Sequence, residues 1–134
     1  MRDALFKKGL KVRKEVLGAE YVENSLAKAD RYTRPMQEFL TKAAWGLVWA
    51  RPGLPRKYRS LLNLGMLVAL NMQHELKLHI RAALGNGLTR EEIAECVLQS
   101  TVYCGAPAAL NAMRSMQEVY AAMDAGKRPA RKKK

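Results

Sequence analysis

ELKLHIRAALGNGLTREEIAE, residues 75–95, is the stretch whose reading decides the fold. Its first half places Leu76, Ile80, Ala83 and Leu84 on one stripe at helical spacing, from about Glu75 to Leu84. Gly85-Asn86-Gly87 stops that helix with residues that tolerate a positive φ. Thr89-Arg90-Glu91-Glu92 then reads as a capping box. The Thr89 hydroxyl accepts from the Glu92 amide, and the Glu92 carboxylate accepts from the Thr89 amide. Ile93, Val97, Leu98 and Val102 carry the restarted helix to Gly105. A helix, a tight stop and a capped restart belong to an all-α chain.

The same grammar extends outward in both directions. Toward the C-terminus, Pro107 starts a last helix that ends around Asp124-Ala125-Gly126. Toward the N-terminus, Asn71 to His74 forms a polar corner, and Pro55 opens a segment holding Leu61, Leu62, Leu64, Met66, Leu67 and Leu70. That segment is apolar on most sides after Ser60, so neighbouring helices or another subunit must cover it. Arg51-Pro52-Gly53 closes a helix that Pro35 begins and that passes Phe39, Leu40 and Trp45 to Trp49. A shorter helix spans Tyr21 to about Arg31. Leu5, Leu10, Val12, Val16 and Leu17 form the first stripe, ended by Gly18. The expectation is a compact domain of six or seven helices over residues 1–126, without repeats, followed by a basic, disordered tail, 127–134.

Composition sets the outer bounds. A chain of 134 residues, 49% hydrophobic and 27% charged, is one globular domain. No apolar run reaches the ~18–20 residues of a membrane span. The N-terminal MRDALFKKGLKVRKE lacks a signal peptide's apolar stretch. Two cysteines, Cys96 and Cys104, make no disulfide framework, so the expected compartment is the reducing cytoplasm. The formal charge is +12, but the last eight residues hold six cations and no anion. That leaves 18 cations against 12 anions for residues 1–126, or +6. No nucleic-acid motif accompanies this charge, and the milder excess suits a small anionic substrate.

Motifs for metal or nucleotide chemistry are missing. His74 and His79 are five apart, unlike the four of HExxH, and no phosphate-cradling glycine loop occurs. Cys96 and Cys104 lie eight apart on one helix, about 12 Å along its axis, too far for a disulfide and typical of small apolar fillers. Glu75 and His79, four apart, share a helix face. Two readings stay open: a carboxylate that tunes an imidazole for proton transfer, or a surface ion pair or a satisfied core histidine.

Several spaced motifs together resemble the 4-carboxymuconolactone decarboxylase family. They are Gln37-Glu38-Phe39, AAWGLVWARPGL at 43–54, Arg59-Ser60, the 75–95 stretch quoted above and VYCGAPAA at 102–109. GLKVRKEVLGAEYV, residues 9–22, is similar to the family's N-terminal segment, and the resemblance covers about residues 9–123. It implies the helical fold of the alkylhydroperoxidase-D-like superfamily, whose redox members carry a CxxC pair that this chain lacks.

The resemblance also implies a carboxy-lyase reaction without a cofactor, in the protocatechuate branch of the β-ketoadipate pathway, and no metal. The electrons released with carbon dioxide pass through a ring double bond into the lactone carbonyl, giving the enol-lactone of 3-oxoadipate. The protein then has to hold two carboxylates, stabilise an oxyanion and supply a proton. Arg51 and Arg59 are the candidate carboxylate clamps, since a guanidinium offers a bidentate fork. His79 is the candidate proton donor, with Glu75 orienting it. Trp45, Trp49 and Tyr103 are candidate pocket walls. The partners implied are a small anionic lactone and copies of the chain itself, as a hexamer or trimer. Leu47 stands where such decarboxylases commonly carry Glu, and Leu110 where they commonly carry Asn. The alternatives are therefore a paralogue acting on another lactone or carboxylic acid, or a thiol-redox protein.

Overall fold

The computed structural model describes residues 3–127. All regular structure among them is helical, as the sequence predicts. The helices are α1 (Ala4–Leu17), α2 (Ala19–Ala27), α3 (Arg34–Leu40), α4 (Arg56–Ala69), α5 (Gln73–Gly85), α6 (Arg90–Cys104) and α7 (Ala106–Lys127). A π-helical segment, Thr41–Trp49, continues α3. The tail beyond Lys127 lies outside the described residues. The described residues divide into two compact units, 3–60 with Ala82–Gly87, and Leu61–Arg81 with 88–127.

In the first unit, Asp3 starts α1 by accepting a hydrogen bond from the Phe6 amide at 2.8 Å. Gly18 ends it at φ 94°, a conformation that glycine adopts without strain. The helix α2 stops at Ala27, four residues short of the predicted Arg31. The Asp30 carboxylate is the physical cause. It accepts from the amides of Tyr32 and Thr33, each at 2.9 Å, and so offers the backbone a turn in place of a helix. Those bonds hold the Asp30 carboxyl below its usual range, Thr33's contribution being the largest. Pro35 lies in the first turn of α3, where its missing amide is harmless.

The segment Thr41–Trp49 departs from the ordinary helix that Pro35 through Trp49 predicts. The Ala50 amide reaches back five residues to the Trp45 carbonyl at 3.1 Å. Such wide turns are rare and need support from neighbouring elements. Helix α1 supplies it. A Cβ on Gly9 would sit 1.9 Å from the Thr41 carbonyl oxygen, and one on Gly46 would sit 2.8 Å from Leu5 Cδ1. The two elements therefore cross with almost nothing between their backbones. Val12, Val16, Trp45 and Ala82 form a buried cluster beside this crossing, with Trp49 packed against it.

The second unit takes the last part of α4, the first part of α5, and all of α6 and α7. Both halves of the predicted capping box at Thr89 and Glu92 are present at 3.0 Å. Arg90 grips Asp124 through two hydrogen bonds, 2.7 and 3.1 Å, and lies over the Tyr120 ring, joining α6 to α7. Ser115 donates to the Gln73 side-chain oxygen at 2.6 Å and Lys77 pairs with Glu118, joining α5 to α7. Leu64, Val68, Leu76, Ile80, Ile93 and Val97 are buried. On α4, however, Leu61, Leu62 and Met66 are exposed, as is Leu70 just past its end. The apolar segment after Ser60 is thus covered on one side only.

Candidate active site

The sequence-derived candidates fall in both units. In the first, Trp45 and Trp49 stack with ring centroids 5.0 Å apart and planes at 27°. Arg51 follows in the turn that leaves the π-helical segment, its amide bonded to the Val48 carbonyl at 3.0 Å. Arg59, on the first turns of α4, donates through Nη2 to the Arg51 carbonyl at 3.2 Å. The two candidate clamps are therefore tied together, with Arg51 exposed and Arg59 half-buried. Next to Arg59, the fully buried Ser60 hydroxyl accepts from the Asn86 amide group at 2.8 Å.

In the second unit, His79 is half-buried on α5, one turn after Glu75. Burial pushes the His79 imidazole below its ordinary value of 6.5, and the charge of Glu75 pulls it back upward. Burial is the larger of the two effects, so the shift favours the neutral imidazole. Tyr103 is 84% exposed on the last turn of α6. Leu110, on α7, is exposed as well, as is Leu47 in the first unit.

Two features bear on the other readings. Cys96 and Cys104 are both free, and burial, with Cys104 as a smaller contributor, pushes the Cys96 thiol above its usual value. A reactive thiol needs the opposite shift. Among the described residues, no three His, Cys, Asp or Glu side chains gather where they could hold a metal ion. No helix there is long and apolar enough to cross a membrane. An open cleft of about 370 Å³ in the first unit is lined by Leu10, Lys14, Glu23, Leu26, Ala27 and Arg34, none of them a sequence-derived candidate.

Nothing in the sequence singled out Arg13, yet it is a buried cation beside the π-helical segment. It is 6% exposed, and its Nη1 donates to Thr41 Oγ1 at 3.1 Å. The signal was present: Arg13 shares a face of α1 with Gly9 and Val16, where a solvated charge would not be placed.

Comparison with known proteins defines the chemistry of this helical chain. The model of the carboxymuconolactone decarboxylase family matches residues 34–118. A nitrosuccinic acid decarboxylase of Metarhizium robertsii is 56% identical over 109 residues, 81% of this chain and 76% of the relative. A 4-carboxymuconolactone decarboxylase of Acinetobacter baylyi is 44% identical over 115 residues, 86% of each chain. An uncharacterised 15.0 kDa protein of Paracoccus denitrificans is 35% identical over 82 residues, 60% of this chain and 61% of its own. Fold and relatives together define an all-α carboxy-lyase. The chain belongs to the carboxymuconolactone decarboxylase family.

Proposed function

We propose that the chain decarboxylates a small dicarboxylic acid whose own electron-withdrawing group receives the electron pair, so that no cofactor is required. Nitrosuccinic acid is the substrate that fits best. The observation that carries this reading is the 56% identity to the fungal nitrosuccinic acid decarboxylase, against 44% to the bacterial lactone decarboxylase. Leu47 and Leu110 support it. Each puts an apolar side chain where lactone decarboxylases commonly carry Glu or Asn, and such changes alter which substrate a pocket prefers.

The chemistry is a single bond cleavage followed by one protonation. The bond between the nitro-bearing carbon and its carboxylate breaks, and carbon dioxide leaves. The electron pair moves onto the nitro oxygens, and a proton added to carbon gives 3-nitropropanoate. In the lactone case the pair flows through the ring double bond to the lactone carbonyl. Both substrates keep a second carboxylate, so the protein's tasks are the same. Arg51 and Arg59 hold carboxylates by paired hydrogen bonds. Trp45 and Trp49, stacked on each other just before Arg51 in the chain, are the aromatic wall of the pocket in this reading. His79 supplies the proton, with Glu75 setting its orientation. A neutral imidazole becomes a better proton carrier once an anion binds beside it, because the negative charge raises its affinity for a proton.

A second reading keeps 4-carboxymuconolactone as the substrate and places the enzyme in the β-ketoadipate pathway. Its support is the 86% coverage of both chains in that match. The experiment is a direct comparison. Freshly prepared nitrosuccinate and 4-carboxymuconolactone are each incubated with the protein, and carbon dioxide release is followed above the buffer rate. Faster turnover of nitrosuccinate supports the first reading, and faster turnover of the lactone supports the second. A folded protein that accelerates neither overturns both.

A further inference from the structure

The proposed reaction leaves one buried cation unused. Arg13 is buried on α1, and its Nη1 donates to a neutral hydroxyl, Thr41 Oγ1, at 3.1 Å. Thr41 is itself fully buried, and its hydroxyl donates onward to the Gln37 carbonyl at 2.7 Å. The guanidinium is thus linked through one hydroxyl to the last turn of α3. Thr41 is also the first residue of the π-helical segment. Its carbonyl lies against Gly9, and its neighbour Lys42 pairs with Asp3 at 2.6 Å. Around Thr41, the contacts with Arg13, Gly9 and Asp3 come from α1 and its N-cap.

Stability alone does not call for an arginine here. Burial disfavours the charged form and lowers the guanidinium's proton affinity, yet the group remains protonated in proteins. An apolar side chain of the same length would fill the space at a smaller desolvation cost. What the guanidinium adds is direction. It makes a defined hydrogen bond at the residue where the helical geometry changes. If the segment reverted to an ordinary helix, each side chain after Thr41 would rotate about the axis by an amount that grows along the segment, since the wider turn advances by a smaller angle per residue. Trp45 would leave its buried cluster, and the angle between its ring and that of Trp49 would change.

We infer that Arg13 is a positioning residue that acts through Thr41 to hold the π-helical segment in register, and so sets Trp45, Trp49 and the chain entering Arg51. The inference rests on the proposed function only in that these three residues are taken to meet the substrate. The chain has two tryptophans, and they are the stacked pair. Stacked indoles couple and give paired circular-dichroism bands of opposite sign, which reports the register without any substrate.

The experiment compares the parent with Thr41→Val, Arg13→Met and Arg13→Lys. In Thr41→Val and Arg13→Met the helical signal persists and the paired bands change in size or sign. The KM for the preferred acid rises at least roughly tenfold, with kcat changed by less than about threefold. Arg13→Lys, which keeps a donor, recovers part of both effects. Should Arg13→Met fail to fold, Thr41→Val, which keeps the shape and removes only the hydroxyl, decides the matter. Paired bands identical to the parent's in the folded variants overturn the inference, and so does an unchanged KM after the bands have changed. If the parent itself turns over neither acid, the proposed function fails, while the bands still report whether Arg13 sets the tryptophans.

Discussion

His79 carries the reaction in the proposed mechanism, and its surroundings make that role measurable in two ways. His79→Gln is expected to leave the helices formed and to lower kcat by about 10²–10⁴-fold, the usual cost of losing a general acid. Glu75→Gln costs less, because it disturbs the imidazole without removing it. The double variant is no worse than His79→Gln alone, since both changes act through one ring. Steady-state kinetics of the three variants check this, and near-normal turnover by His79→Gln would assign the residue to the core instead. The second measure is stability against pH. The folded imidazole lies below its ordinary 6.5, so between those two values the unfolded chain holds more protons. The stability gained by keeping His79 neutral is therefore complete above about pH 6.5 and is lost as the pH falls through the folded value. Melting curves between pH 7.5 and 5 are expected to slope downward for the parent and to flatten for His79→Gln. Arg59→Lys differs in kind. It removes the bidentate fork and weakens the tie to the Arg51 carbonyl, so KM for a dicarboxylate rises while kcat changes little.

At the scale of elements, the crossing of α1 with the π-helical segment determines where the first unit is fragile. Gly9→Ala sets a methyl carbon 1.9 Å from the Thr41 carbonyl oxygen, and backbone cannot yield as a flexible side chain can. The expected cost is about 3 kcal/mol or more, at the upper end for an overpacked contact, read as a lower urea midpoint. Gly65→Ala on α4 is the opposite case, with nothing within 4 Å of the added carbon. It is expected to raise stability by about 0.5–1 kcal/mol through helix propensity and reduced freedom of the unfolded chain. The contrast shows which parts of this fold could be read from sequence. The capping box at Thr89 and the stops at Gly18 and Gly105 are written in adjacent residues, and the structure has all of them. The early end of α2 is also local, but it depends on Asp30 choosing turn amides over helix, and periodicity does not register that choice. The π-helical turns could not be read this way, because their determinants, Gly9 and Arg13, lie some thirty residues away on another element. The candidate site divides along the same line. That Glu75 and His79 share a helix face follows from four-residue spacing. The bond from Arg59 to the Arg51 carbonyl and the Arg13–Thr41 contact arise only on folding.

For the whole molecule the telling observation is how much apolar surface the second unit leaves in water. Nine of its large apolar side chains are exposed: Leu61, Leu62, Met66, Leu70, Met72, Leu98, Val102, Tyr103 and Leu110. Leu62, Met66 and Leu70 follow one another at four-residue steps along one side of the α4 segment, and Leu98 and Val102 do the same on α6. The largest apolar patch on an ordinary soluble monomer is about 300–600 Å². Rows of large apolar side chains left in water are the kind of surface that an interface covers. The occupant we propose is a second copy of the same chain, in a closed assembly such as a trimer or hexamer. Two substitutions separate this from a solvated surface. On a monomer, Leu70→Glu and Val102→Asp replace exposed side chains and change stability by no more than about 0.5 kcal/mol. In an assembly the same changes bury a charge against apolar neighbours and drive the subunits apart. Light scattering of the parent at micromolar concentration is expected to give a mass several times the 15.1 kDa of one chain, falling toward one chain in either variant. A parent particle of 15.1 kDa would show instead that this surface faces water in the working protein.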